Sequence, residues 1–161
     1  MQFRTEMRYP VPPAAVYAML ADPGFREQVC VDQDVISADV DITSNGTGLS
    51  VRIDQVQPTQ GVPSFAKPVV GETSRAIQIE EWPDESSASL EIKTPGKPAT
   101  MKGTITLSPE GKGTLEVVEL NVKVSVPLVG GRIEKILADL VRRSTAAEQE
   151  TGLRWLGAGG S

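Results

Sequence analysis

The sequence predicts an α+β fold: a curved antiparallel sheet of about seven strands wrapped around a long C-terminal helix, with two short helices after the first strand. Three observations predict it. Over most of residues 2–126 the apolar residues recur at every second position, in short runs separated by Pro, Gly, Asp and Ser, which marks half-buried strands joined by tight turns. After Leu128 the apolar spacing changes to the roughly 3.6-residue stripe of an amphipathic helix. The chain has 161 residues, the size of one domain, with no internal repeat and no composition break. One domain is expected over residues 1–156. The Gly-Ala-Gly-Gly-Ser end, residues 157–161, is expected to be a flexible tail.

Each element follows from local chemistry. Phe3, Thr5, Met7 and Tyr9 alternate with Gln2, Arg4, Glu6 and Arg8, a half-buried strand that Pro10 and Pro12-Pro13 stop. Pro13 suits the first turn of a helix through Leu20. Asp22-Pro23 restarts a second helix, with Asp22 as N-cap and Phe25 and Val29 on its apolar side. Val40 and Ile42 alternate with Asp39 and Asp41, and Asn45-Gly46 signals a hairpin answered by Leu49, Val51 and Ile53. Further strands fit residues 75–82, 88–94, 100–107 and 114–126. In the last of these, Leu120, Val122, Val124 and Val126 share one phase while Leu115 and Val117 take the other, so a bulge is expected near Val117-Val118. The final helix carries Ile133, Ile136, Leu137, Leu140 and Val141 and would be roughly 40 Å long over residues 128–156.

Composition removes several functions. There is no histidine, which excludes His-based triads and most catalytic zinc sites. One cysteine, Cys30, excludes an internal disulfide and any Cys-cluster metal site, and a lone thiol fits the reducing cytoplasm. The net charge of −5 argues against nucleic acid as a partner. No apolar run is long enough to span a membrane, and the start has no secretory pattern. Neither a metal nor a cofactor is expected.

A sheet of this kind must bury one face, and the long helix must cover it. Along the expected inner stripe of that helix, Ile136 and Leu140 give way to Ser144, Ala147 and Thr151. Small residues opposite a concave sheet leave a hollow unless large side chains fill it, and aromatics are only 4% of the chain. The bland alternative is that these small residues mark a fraying helix end.

The chain resembles the helix-grip superfamily, which includes START lipid-transfer domains, birch-pollen-allergen-like proteins and polyketide cyclases. Within it the nearest resemblance is to an uncharacterised actinobacterial family. The resemblance rests on Tyr9-Pro10 ahead of Pro13-Ala14-Ala15-Val16-Tyr17, on Glu80-Glu81-Trp82, and most specifically on Pro127-Leu128-Val129-Gly130-Gly131-Arg132-Ile133-Glu134-Lys135. It implies a hydrophobic cavity and supplies no catalytic residues. It also implies that the segment 58–71 sits near a cavity mouth, where Phe65, Val69 and Val70 would form an apolar lid edge. A surface loop covering a sheet edge explains these residues equally well. The expected ligand-binding residues are Phe65, Val69, Met101, Ile136, Leu140, Ser144 and Ala147, with Trp82 at the mouth. Counting puts Trp82 opposite Ile77 and Ile79 unless a bulge intervenes, which leaves its face open.

Other matches are better explained by structure. Asp39-Val40-Asp41-Ile42-Thr43 matches a phosphotransferase DxDxT pattern, yet its aspartates alternate with apolar residues on a strand and read as a solvated face. Ser64-Phe65-Ala66-Lys67 matches the SxxK of penicillin-recognising enzymes without their partner motifs. Glu80-Glu81-Trp82-Pro83-Asp84-Glu85 reads as a solvated turn with Trp82 packing down. Cys30 reads as an inert buried thiol. Glu134 and Asp139 flank the helix stripe without entering it. The leading function is therefore the binding of an apolar or amphipathic small molecule. A cyclase- or dehydratase-like enzyme would need a carboxyl inside the cavity, and a protein-interaction module would need a large exposed apolar face.

Overall fold

The computed structural model of the protein describes residues 1–59 and 61–159. Its strands are β1 (Gln2–Tyr9), β2 (Ser37–Asn45), β3 (Gly48–Pro58), β4 (Thr73–Trp82), β5 (Ser87–Lys93), β6 (Ala99–Glu110) and β7 (Gly113–Val124). Its helices are α1 (Pro13–Leu20), α2 (Pro23–Asp32), the single turn α3 (Lys67–Val70) and α4 (Gly130–Gly159). The strands form one open antiparallel sheet in the order β1-β7-β6-β5-β4-β3-β2. Its concave face packs on α4. This is the architecture that the alternating patterns and the late change of period imply. α4 runs on to Gly159, so the expected tail begins inside the helix, and residues 160–161 lie outside the described residues.

Local chemistry sets the joints. Asp22 accepts a hydrogen bond from the Gly24 N–H at 2.8 Å and caps α2, satisfying one of the donors that a helix start leaves free. Gly46 turns the β2–β3 hairpin at φ +74°, a conformation glycine adopts without steric cost. Gly103 allows β6 and β7 to approach closely: a Cβ there would lie 1.7 Å from the Glu119 carbonyl oxygen. Glu134 locks α4 to the sheet, accepting from the Val124 N–H at 3.0 Å and from the chain's amino terminus at 3.2 Å.

The core of Met7, Phe25, Trp82, Leu120 and Ile133 sits between α1, α2, α4 and the concave face. The bulge expected near Val117-Val118 does not form. β6 and β7 pair without a skip from Ala99↔Val124 to Glu110↔Gly113. Thr114, Glu116, Val118, Leu120, Val122 and Val124 therefore share the inner row. Leu115 and Val117 lie on the outer face despite being apolar. β4 shows the same inversion: Ser74, Ala76, Gln78, Glu80 and Trp82 face inward, while Ile77 and Ile79 face outward.

Candidate functional site

Between α4 and the sheet lies a cavity of about 120 Å³, close in size to a cavity of about 150 Å³ that accepts benzene. Its walls differ in chemistry. β5 and β6 contribute Leu90, Ile92, Met101 and Ile105, and α4 adds Leu137, Leu140 and Val141. β3 and β4 instead contribute Gln55, Gln57, Ser74 and Gln78. The cavity reaches exposed Pro58 at the end of β3. It is thus aliphatic on one side and amide- and hydroxyl-lined on the other.

One arginine and three glutamates also line it: Arg26, Glu80, Glu116 and Glu148. Arg26, from the buried side of α2, donates from both terminal nitrogens to Glu80, at 3.0 and 2.8 Å, and from Nε to the Leu20 carbonyl at 2.8 Å. Glu80 also accepts from Trp82 Nε1 at 2.9 Å and from Gln78 Nε2. Burial alone would push the Glu80 carboxyl upward, but the Arg26 charge and these donors outweigh it and hold the carboxyl below its ordinary value. Burial works against the Arg26 charge too, and Glu80 restores it, leaving the guanidinium more firmly protonated than usual. The acidic run around Trp82, expected as a solvated turn, thus contributes a fully buried ion pair.

Glu116 has no such partners. It is 2% exposed, and its Oε1 accepts no hydrogen bond. Burial pushes its carboxyl well above the ordinary carboxylate range, and the neighbouring Glu148 pushes further. Glu148, half-buried on α4, is raised chiefly by burial, with Arg26 opposing and Glu80 adding to the rise. Thr94 Oγ1 is the other buried side-chain oxygen without a partner among the described residues, and Thr94 lines the same cavity.

Of the residues expected from sequence, Met101, Leu140 and Ser144 line this cavity. Ser144 uses its hydroxyl to donate to Gln33 Oε1 at 2.8 Å, and Thr151 donates to Asp32 at 2.7 Å, so both tie α4 to the end of α2. Trp82 is not at the mouth. It is fully buried, edge-on to Tyr17 with ring centroids 5.6 Å apart. Phe65 and Val69 are half-buried outside the lining, and Phe65 lies under the Arg132 guanidinium at 4.0 Å. Val62, Ala66 and Val70 dock that segment instead. Ile136 and Ala147 are half-buried beside the cavity wall, because the inward stripe of α4 is turned by about one residue, through Leu137, Val141, Ser144, Thr145 and Glu148. Cys30 is buried, which raises its thiol above the ordinary value. Among the described residues no helix is long and apolar enough to cross a membrane.

A curved seven-stranded sheet holding a long C-terminal helix over an interior cavity is the architecture of the helix-grip superfamily, and comparison with known proteins agrees. A START superfamily protein from Mycobacterium smegmatis superposes with a TM-score of 0.64 at 15% identity, over 96% of this chain and 98% of that one. The protein TTHA0849 from Thermus thermophilus does so with a TM-score of 0.69 at 23% identity, over the whole of both chains. The di-domain ARO/CYC StfQ from the steffimycin biosynthetic pathway gives 0.66 at 9% identity, over 95% of this chain and 50% of that one. At these identities the likeness is one of fold. Residues 4–156 match the family described as "Protein of unknown function (DUF2505)", and the chain belongs to it. No curated protein matches the chain by sequence.

Proposed function

We propose that the protein binds a small molecule with an apolar body in the cavity between α4 and the sheet. One observation carries this reading: among the described residues, the two buried side-chain oxygens without a partner, Thr94 Oγ1 and Glu116 Oε1, both belong to residues lining this same cavity. Burying a polar atom without a hydrogen bond costs about 1–3 kcal/mol, and a guest with a polar group offsets that cost. The aliphatic wall supplies the rest, at about 25 cal/mol per Å² of apolar surface taken from water. A guest the size of one ring or a short chain fits inside, and a longer one passes out beside Pro58. Met101, Leu140 and Ser144 are the contacts shared with the expectation from sequence; Phe65, Val69, Trp82, Ile136 and Ala147 act on the guest only through the residues they support. The lone, buried Cys30 fits the cytoplasm as the compartment of action.

The test is native mass spectrometry of protein purified under non-denaturing conditions from its own host, followed by solvent extraction. A co-purifying apolar compound, displaced when Leu140 is replaced by Trp to fill the cavity, is the expected result. Protein that carries no compound and also excludes an apolar dye would refute the reading.

A second reading is favoured by Glu116 itself. A carboxyl that stays protonated in a water-poor cavity is suited to general acid catalysis. On that reading Glu116 donates a proton to a guest and Glu116→Gln abolishes turnover while binding persists.

A further inference from the structure

The charges lining the cavity indicate what class of guest it takes. One guanidinium faces three carboxyls there. The guanidinium charge is already paired, with both terminal nitrogens on Glu80 and Nε on the Leu20 carbonyl, and Glu80 is further closed off by Trp82 and Gln78; what remains of its field is shared between Glu116 and Glu148. That leaves Glu116 on β7 and Glu148 on α4, which feel each other's charge and are matched by no further cation among the described lining residues. Nor do three acidic, Cys or His side chains converge as a metal site among the described residues. An anionic guest would enter as a fourth acid with only the Glu80-paired guanidinium to meet it. A neutral alcohol could hydrogen-bond but would leave the excess of acid untouched. A protonated amine brings both charge and up to three N–H donors, and charge-assisted hydrogen bonds are about twice as strong as neutral ones.

We propose that Glu116 and Glu148 form a subsite for the ammonium group of an amphipathic amine whose hydrocarbon part lies against Leu90, Ile92, Met101 and Leu140. This rests on the reading of the cavity as a ligand site. The amine enters as R–NH3⁺ while the Glu116 carboxyl gives one proton to solvent, or as R–NH2 and takes that proton itself; both routes end in one ammonium–carboxylate pair. The groups that set this exchange are Glu148 on α4, Arg26 on α2, Glu80 on β4 and the buried phenol of Tyr9 on β1, which feels Glu116 and Glu148 and stays protonated. Binding the charged amine therefore releases a proton, and its affinity rises with pH as Glu116 becomes easier to ionise.

The experiment is calorimetric titration of the full chain with n-octylamine, octan-1-ol and octanoate, in buffers of differing ionisation enthalpy. The amine is expected to bind at least about tenfold more tightly than the alcohol, a difference of about 1.4 kcal/mol. The carboxylate is expected to bind weakest, and amine binding to release protons. Glu116→Gln is expected to abolish the amine's preference over the alcohol and the proton release that accompanies amine binding. Glu148→Gln provides the same test if the first variant does not fold, judged by circular dichroism. If the three probes bind alike, or the variants keep the amine preference, the amine subsite is overturned while the cavity reading stands. If no probe binds, both are overturned.

Discussion

Glu80 and Glu116 face the same cavity, are buried to the same degree and lie on strands of the same sheet, yet their carboxyls are shifted in opposite directions. Glu80 has a bidentate guanidinium, an indole N–H and an amide on it, and stays below the ordinary carboxylate value. Glu116 has a second glutamate as its neighbour and an oxygen with no partner, and is pushed well above it. Burial is common to both, so the partners decide the outcome. The first is a structural latch joining α2 to β4. The second is a buried carboxyl with an oxygen that the fold leaves unsatisfied.

The largest expected effect comes from breaking the latch. Arg26→Met leaves Glu80 buried without its cation, and removing one partner of a buried pair costs about 3–5 kcal/mol. Urea denaturation measures this loss; one below about 1 kcal/mol would show that Glu80 is not held as an ion.

The next effect sharpens the contrast through pH. Glu116 has a folded value raised above its unfolded one, so its contribution to stability is full below the ordinary carboxylate range and is lost as pH rises through the folded value. The slope is at most about 1.4 kcal/mol per pH unit for each retained proton. Glu80 behaves in the opposite sense, its contribution being lost as pH falls through its depressed value. Unfolding across a pH series should show wild-type stability declining above the ordinary carboxylate range and Glu116→Gln flattening that decline. The same decline in the variant would remove Glu116 as its source.

The smallest effect concerns Thr94. Thr94→Val removes a buried hydroxyl with no partner, and a gain of about 1 kcal/mol in unfolding free energy is expected. A loss of similar size would mean that the hydroxyl is satisfied in solution.

The topology was legible in the sequence because alternation, hairpin glycine and a change of period report backbone pairing directly. The site was legible only in part, and β4 and β7 show why. Both carry aliphatics on the outer face, Ile77 and Ile79 on one and Leu115 and Val117 on the other, while their inner rows carry Gln78, Glu80, Thr114 and Glu116. A reading that assigns apolar residues to the core turns these strands over, and the bulge expected at Val117-Val118 was the device that did so for β7. Hydrophobic patterning misleads where a fold places polar groups inside, which is where its chemistry lies. Uninterrupted counting from Leu120 back to Glu116 and from Trp82 back to Glu80 would have placed both glutamates inward. On α4, Glu148 lies four residues beyond Ser144 and was within reach of the same helical count. Arg26 gave no such signal, since an arginine beside Phe25 on a short helix looks like any surface charge.

The central claim is that one cavity holds an ionised glutamate and a protonated one at the same pH. Carboxyl-carbon NMR of glutamate-labelled protein, with Glu80→Gln and Glu116→Gln to assign the two signals, tests it most directly. The Glu80 resonance should remain that of a carboxylate through and below the ordinary range, and the Glu116 resonance should remain that of the acid well above it. If both carbons titrate together at the ordinary carboxylate value, the distinction between latch and binding group is contradicted.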